Sequence, residues 1–288
     1  GPEKTLEVIF KSGVGAPGGL RNMTRAQLDE LCTQAKCTIL SQASTNYIDA
    51  YVLSESSLFI YEYRLIMKTC GTTTLLRCLG TLFEYSDALA MQLSWVGYSR
   101  KNFLFPSAQL WPHVNFGEEM RYIEQHEFLQ KRLRGDGHIL GPVTGDHWFV
   151  YVAEELSAAL SLAQPRGHST YRTFNMMMFD MAPEVAATFF QGTNGLTGKE
   201  MTAKAGIQAL CPGAYIDEAA FTPCGYSMNS VLDATYSTIH ITPEAACSYV
   251  SFETNDQLDD YAPLLRRVLS TFRPQRFVLT MFGDDDAI

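Results

Sequence analysis

Several absences narrow this sequence before any motif is read. No apolar run approaches the ~18–20 residues needed to span a bilayer, and no signal peptide leads the 288-residue chain, so a cytoplasmic protein without a membrane partner is expected. Basic residues are in deficit: 22 Lys and Arg stand against 31 Asp and Glu, giving a net charge of -9 and no electropositive footprint for nucleic acid. The seven cysteines, Cys32, Cys37, Cys70, Cys78, Cys211, Cys224 and Cys247, are odd in number and lack CxxC pairs. With His113, His126, His138, His147 and His168 showing no paired ligand spacing, no metal is expected, and the thiols fit a reducing compartment as small buried hydrophobes. Solenoid repeats and low-complexity tracts are missing too. The Gly-x-Gly at Gly135–Gly137 lacks a strand-turn-helix context, Arg134-Gly135-Asp136 reads as an exposed loop tripeptide, and no nucleophile elbow supports a Ser/His hydrolase.

What is present is globular: 46% hydrophobic and 18% charged residues, enough for a sizeable core in one domain spanning 1–288. "TLEVIF" alternates as a strand, and Thr24-Arg25-Ala26-Gln27 has the spacing of a capping box opening a helix to about Lys36. Strands are predicted at Thr38–Leu40, Ala50–Leu53, in two runs over Ser56–Cys70, at "DHWFVYVAEE", and late at "YSTIHITP", "CSYVSFET" and "RFVLTMF". Gly71 opens a helical stretch, further helices are predicted at Pro183–Gln191 and Asp256–Phe272, and "AQPRGHST" joins two halves near 163–170. Met176-Met177-Met178 reads as core, and Asp284-Asp285-Asp286 as a solvated tail. Neighbouring strands with helices between groups indicate α+β with antiparallel sheets.

Two hairpins bring reactive side chains together. Centred on Tyr63, Ser56–Cys70 places Ser56 opposite Cys70, with Leu58 and Lys68 next on that face. "SMNSVLDATYSTIH", turning at Asp233-Ala234, places Ser227 opposite His240. Taken singly, each pair also reads as ordinary strand structure.

The blocks "YVLSESSLF", "KTCGTT", "YSRKNF", "FTPCGYSMN", "TIHITPE" and "SYVSFET" stand in an order that resembles the eukaryotic S-adenosylmethionine decarboxylases, from Glu3 to about Phe282. That resemblance implies a four-layer αββα sandwich, two antiparallel sheets flanked by helices. It implies a pyruvoyl cofactor made from Ser56 by self-cleavage at Glu55-Ser56, leaving a β chain 1–55 and an α chain 56–288. In the family's scheme the Ser56 hydroxyl attacks the Glu55 carbonyl, Ser227 stabilises the oxyoxazolidine, and His240 removes the Ser56 α-proton. The substrate, S-adenosylmethionine, forms a Schiff base with the pyruvoyl ketone, and Cys70 returns a proton to the decarboxylated carbon. Phe221 matches the aromatic that stacks on adenine, Glu244 the ribose-binding carboxylate, Leu53 a backbone contact to adenine, and Glu55 a further substrate contact.

Against the family, the chain begins after a second stacking aromatic and stops short of the last strands. At the diamine effector site Glu7, Lys68, Thr173 and Glu253 match, but Tyr171 and Asn175 stand where the family has acids, and Arg172 would fill the acidic pocket if it turned inward. That pattern resembles the trypanosomatid branch, implying weak or absent putrescine activation and a heterodimer with an inactive homologue. The rival reading is a non-catalytic regulatory paralogue of the same family. Such a paralogue should lack the cleavage serine or its processing partners, and Ser56, Cys70, Ser227 and His240 are all present.

Overall fold

A computed structural model describes residues 3–130, 133–155, 171–246 and 248–283. Its strands are β1 (Lys4–Phe10), β2 (Ile39–Ser44), β3 (Asp49–Leu53), β4 (Ser56–Ile60), β5 (Arg64–Thr69), β6 (Leu93–Lys101), β7 (Leu133–Leu140), β8 (Trp148–Glu155), β9 (Arg172–Met181), β10 (Tyr215–Ala220), β11 (Tyr226–Leu232), β12 (Thr235–Thr242), β13 (Tyr249–Thr254) and β14 (Pro274–Gly283). They form an eight-stranded sheet in the order β2-β3-β4-β5-β1-β6-β8-β7 and a six-stranded sheet in the order β10-β11-β12-β13-β9-β14. Two antiparallel sheets with helices are the α+β class expected. The chain forms two compact units, 1–39 with 53–165 and 40–52 with 166–288. The predicted connection near 163–170, His168, Cys247 and Asp284–Asp286 lie outside the described residues. Among the described residues no helix is long and apolar enough to cross a membrane.

Local sequence explains much of this. Thr24 and Gln27 exchange both capping-box hydrogen bonds and start the helix Arg25–Gln34. The stretch after Gly71 becomes helical only at Leu75, first as a 3-10 turn and then as the helix Leu79–Ala88. Pro183–Gln191 breaks into a helical turn, Pro183–Ala186, and a 3-10 turn, while the last helix starts at Ala262 with Pro263 in its first turn. Met176, Met177 and Met178 are buried in β9 as expected, with Met176 and Met178 in the apolar core of the second unit.

Two expectations are corrected. Arg134-Gly135-Asp136 is not a loop but lies in strand β7, paired with β8. Its glycines are packing requirements, since a Cβ on Gly135 would overlap the Tyr151 hydroxyl and one on Gly137 the Met120 sulfur. In the β4–β5 hairpin Ser56 faces Thr69 rather than Cys70, and Lys68 faces Ser57 rather than Leu58. Tyr61 N–H reaches the Arg64 carbonyl, so Glu62-Tyr63 is a two-residue turn and the register moves by one.

The first unit buries a charged cluster under its sheet. Arg100 meets the Glu119 carboxylate through Nε at 2.8 Å and Nη2 at 2.8 Å, the Tyr98 hydroxyl donates to Glu119 at 2.7 Å, and His113 Nδ1 lies 2.8 Å from it. Burial tends to raise the Glu119 carboxyl, but its bonds to His113 and Arg100 outweigh this and hold it below the usual range. Burial drives His113 down to about 4 despite Glu119. A histidine with a lowered folded-state pKa stabilises the fold fully above its unfolded pKa of 6.5, and that stability is lost as pH falls towards 4, because the unfolded state binds the extra proton. Urea unfolding at stepped pH should therefore show wild-type stability declining between about 6.5 and 4 more steeply than that of His113→Gln. Parallel slopes would contradict the neutral, buried imidazole.

Candidate active site

Ser54-Glu55-Ser56-Ser57 interrupts an apolar run because it is the turn from β3 into β4. Ser54 and Glu55 form the two-residue turn. Ser54 N–H donates to the Thr38 carbonyl (2.8 Å) and its hydroxyl accepts from Thr38 N–H (3.1 Å), tying the turn down. Glu55 is exposed, whereas Ser56 and Ser57 are buried. The Glu55 carbonyl accepts a hydrogen bond from Cys70 N–H at 3.0 Å. Ser56 has φ 147°, a conformation natural to glycine and strained for a residue with a Cβ. The peptide between Glu55 and Ser56 is thus held by its carbonyl on one side and strained on the other.

Cys70 is half-buried at the end of this hairpin, its Sγ 3.7 Å from the Glu55 carboxylate. Burial pushes the thiol up to about 11, the Glu55 and Glu3 carboxylates push the same way, and Lys4 opposes them. At neutral pH it is a thiol, a proton donor rather than a thiolate nucleophile. The Thr73 hydroxyl donates to the Cys70 carbonyl at 2.8 Å and fixes the turn that follows.

In the second unit β11 and β12 meet in the predicted register. Asp233-Ala234 is the turn, Asp233 takes the left-handed φ of 50° that Asp tolerates, and Ser227 lies opposite His240. His240 Nδ1 is 2.8 Å from the Ser227 hydroxyl and Nε2 is 2.9 Å from the Thr238 hydroxyl. The single Thr238 hydroxyl proton goes to the Met228 carbonyl at 3.1 Å, so Thr238 accepts from Nε2–H. In that tautomer Nδ1 is the basic nitrogen, and it accepts a hydrogen bond from the Ser227 hydroxyl. Nothing in the sequence had singled out Thr238.

These side chains share one face. The rows Ser227–His240–Ser251 and Asn229–Thr238–Glu253–Asn175 are polar and buried, while alternate residues Met228, Ile239, Phe252 and Met176 form the apolar core on the opposite face. Both Glu253 oxygens accept hydrogen bonds, from Asn175 Nδ2 and from the Tyr236 hydroxyl, each at 2.9 Å. The Thr173 hydroxyl donates to Tyr171 at 2.8 Å. Arg172 does not turn towards Glu253. Strand alternation sends it to the Phe174 face, where it lies 5.9 Å from the Tyr261 ring and donates to the Leu258 carbonyl.

The remaining predicted residues fall as follows. In the first unit Lys68 pairs with Glu3 at 3.2 Å, both buried, and Glu7 pairs with Arg64, so the two predicted effector residues have separate partners. Leu53 is fully buried at the end of β3. In the second unit Phe221 is half-buried in a turn closed by its N–H to the Gly225 carbonyl, and Glu244 is exposed just after β12.

The strain at Ser56 has a direct test. Ser56→Gly should be more stable than Ser56→Ala by about 1–2 kcal/mol, although glycine ordinarily costs stability in a strand. Denaturant unfolding of the two intact chains reads it, and an alanine variant at least as stable as the glycine one would exclude strain there.

The sequence profile of the family described as adenosylmethionine decarboxylase matches residues 1–287. Similar proteins include the S-adenosylmethionine decarboxylase proenzymes of Dictyostelium discoideum (41% identical, covering 100% of this chain and 75% of that one) and Drosophila melanogaster (37%, 99% and 82%). Among solved structures, the Trypanosoma brucei AdoMetDC-delta26 monomer aligns with a TM-score of 0.56 and 27% identity, covering 78% of each chain. A match over nearly every residue, with relatives around 40% identical along the whole length, shows that this chain belongs to the S-adenosylmethionine decarboxylase family.

Proposed function

We propose that this chain is a proenzyme that cleaves itself at Glu55-Ser56 and then decarboxylates S-adenosylmethionine to the decarboxylated nucleoside used in spermidine synthesis. The observation that carries the reading is the Glu55-Ser56 peptide itself, strained at Ser56 and hydrogen-bonded at its carbonyl by Cys70 N–H. The relatives named as proenzymes support it.

The Ser56 hydroxyl adds to the Glu55 carbonyl, charge builds on the carbonyl oxygen, and the Cys70 N–H meets it. Collapse breaks the C–N bond, giving an ester and a free Ser56 amine. As the family resemblance implies, His240, with Nδ1 as its basic nitrogen, takes the Ser56 α-proton, and β-elimination releases the 1–55 chain with a Glu55 carboxylate. Hydration and loss of ammonia leave a pyruvoyl group at position 56. A buried serine on a strained peptide with a polarised carbonyl fits that origin. When formed, the group supplies a ketone that captures the substrate amine and an electron sink for decarboxylation. Cys70, kept as a thiol by burial, donates the proton to the product carbon. By the family resemblance, Phe221 offers a face to adenine, Glu244 an exposed carboxylate to the ribose, Leu53 its backbone to adenine, and Glu55 a further substrate contact. Work in a reducing cytoplasm suits the free thiols at Cys32, Cys37, Cys70, Cys78, Cys211 and Cys224.

The alternative of a non-catalytic regulatory paralogue is less favoured, because the scissile pair and the Ser227–His240 pair are intact. Placement in the trypanosomatid branch, with an inactive homologous activator subunit, draws support from the Trypanosoma brucei neighbour, while the higher identities to the Dictyostelium and Drosophila chains weigh against it. Weak putrescine activation has its own support: Glu253 is already hydrogen-bonded by Asn175 and Tyr236, and Tyr171 is neutral.

Denaturing mass spectrometry should find wild-type fragments 1–55 and 56–288, the second carbonyl-reactive, and a single Ser56→Ala chain. Cys70→Ala should retain cleavage yet decarboxylate at least ~100-fold more slowly, and His240→Ala should stall at an ester that hydroxylamine cuts. A fully active protein that stays one chain would refute the reading.

Decarboxylation assays with and without putrescine, and with and without a homologous inactive subunit, address regulation. Putrescine alone should change the rate less than about 2-fold, since burying its charge without carboxylates that are free to pair is unfavourable. The partner should raise the rate by far more. Strong putrescine activation of the isolated chain would exclude the trypanosomatid placement.

A further inference from the structure

Lys4 takes no part in the proposed chemistry, yet its setting differs from those of the other buried cations in its unit. Lys68 has Glu3 at 3.2 Å and Arg100 has Glu119 at 2.8 Å. Lys4 is as deeply buried, but among the described residues no carboxylate lies within ion-pair distance of it. Its ammonium donates to the Gly71 carbonyl at 2.8 Å and lies 5.5 Å from the centre of the Phe103 ring. Burial pulls its pKa down to about 8, against the opposing pull of Cys70 and Glu119. Burying an ammonium with a single oxygen acceptor is costly, and an apolar side chain would serve packing better at a strand position flanked on its own face by Leu6.

Its location shows what it does. Ser56, Thr69, Lys4 and Arg100 stand in one cross-strand row through β4, β5, β1 and β6. Gly71 follows Cys70 at φ 61°, a left-handed turn that swings the chain away from β5. The same short turn carries the Cys70 N–H that holds the Glu55 carbonyl at 3.0 Å.

We infer that Lys4 is a positioning residue for self-cleavage: by holding the Gly71 carbonyl it fixes the Cys70–Gly71 turn, and so keeps the Cys70 N–H on the Glu55 carbonyl that Ser56 attacks. This rests on the self-processing reading above. In the step concerned the Ser56 Oγ–C bond forms and the carbonyl oxygen takes up charge. The Glu55–Ser56 C–N bond then breaks, and the hydroxyl proton ends on the new amine. Lys4 touches none of these atoms. A donor displaced by about 1 Å can cost ~10²-fold in rate, so anchoring the turn bears directly on the rate of this step.

The test is the rate of fragment appearance by denaturing mass spectrometry in freshly synthesised full chain, read beside thermal unfolding of the unprocessed protein. Lys4→Met, of similar volume without a donor, should cleave at least ~10-fold more slowly while its Tm holds or rises. No hydroxylamine-sensitive ester should accumulate, because the block precedes the ester. Lys4→Arg, which restores a buried donor, should recover most of the lost rate. Leu6→Ala, a cavity on the same face of β1, should lower Tm without slowing cleavage comparably. Should the Met variant not fold, Lys4→Leu, which also removes both charge and donor, is read in its place with the same slowing expected. Cleavage of the loss variant at the wild-type rate, or a slowing that merely tracks Tm as in Leu6→Ala, overturns the role of Lys4. A wild-type chain that never cleaves overturns the self-processing reading as well.

Discussion

Much of the first unit is arranged around one hydrogen bond, that from the Cys70 N–H to the Glu55 carbonyl. A peptide meant to break must be activated without letting the fold relax around it. A β-branched or bulky residue could not hold φ 147° easily, and serine holds it only because its neighbours are fixed. Ser54 is tied to Thr38 on one side, Thr73 and Lys4 grip the two residues after β5 on the other, and β4 is paired along its length with β5. Strain of about 1–3 kcal/mol persists only where surroundings over-determine it. The apolar residues of β4 and β5 do that here, which accounts for a serine proposed to carry self-cleavage lying in so hydrophobic a segment.

The second unit solves a different problem. A sheet buried on both faces usually carries apolar residues on both, but here one face bears Ser227, His240, Thr238, Glu253, Asn175 and Asn229. Buried polar groups are tolerable when they satisfy each other, and these form bonds that run across strands. The consequence is orientation. The Thr238 bond to Met228 decides which nitrogen of His240 carries the proton, so the basic nitrogen is selected by a backbone carbonyl one strand away. A histidine free to choose tautomers would spend part of its time with the wrong nitrogen available.

How far the sequence disclosed this depends on the turn chemistry at each point. Asp233-Ala234 is a two-residue turn whose Asp accepts a positive φ, and it fixed the Ser227–His240 pairing correctly. Glu62-Tyr63 carries no Gly or Asn to announce its length, and a one-residue error there set Cys70 opposite Ser56, where Thr69 stands. Because side chains alternate across a strand, that slip also misjudged the face of Lys68. β7 was hidden for a related reason: glycines that make room for Tyr151 and Met120 look, in one dimension, like a loop. Lys4 and Thr238 gave no local signal at all. Their roles exist only through partners 67 residues along the chain or across a ladder, and a lysine near a chain start reads as a solvated terminus.

In the proposed mechanism Cys70 joins these threads, since its two halves would act at different times. Its amide acts before cleavage, on the carbonyl of Glu55, and any residue but proline would supply that donor. Its thiol acts afterwards, and burial together with the nearby Glu55 and Glu3 carboxylates keeps it protonated. A lower pKa would make it a thiolate beside a carbonyl at risk of attack, able to compete with Ser56 for Glu55. Keeping the thiol near 11 would therefore serve both proposed stages: it silences a rival nucleophile during processing and preserves a proton for turnover. Lys4 pulls the other way, and the depth of burial has to outweigh its charge. The arrangement holds because Lys4 spends its hydrogen bond on the Gly71 carbonyl rather than on sulfur.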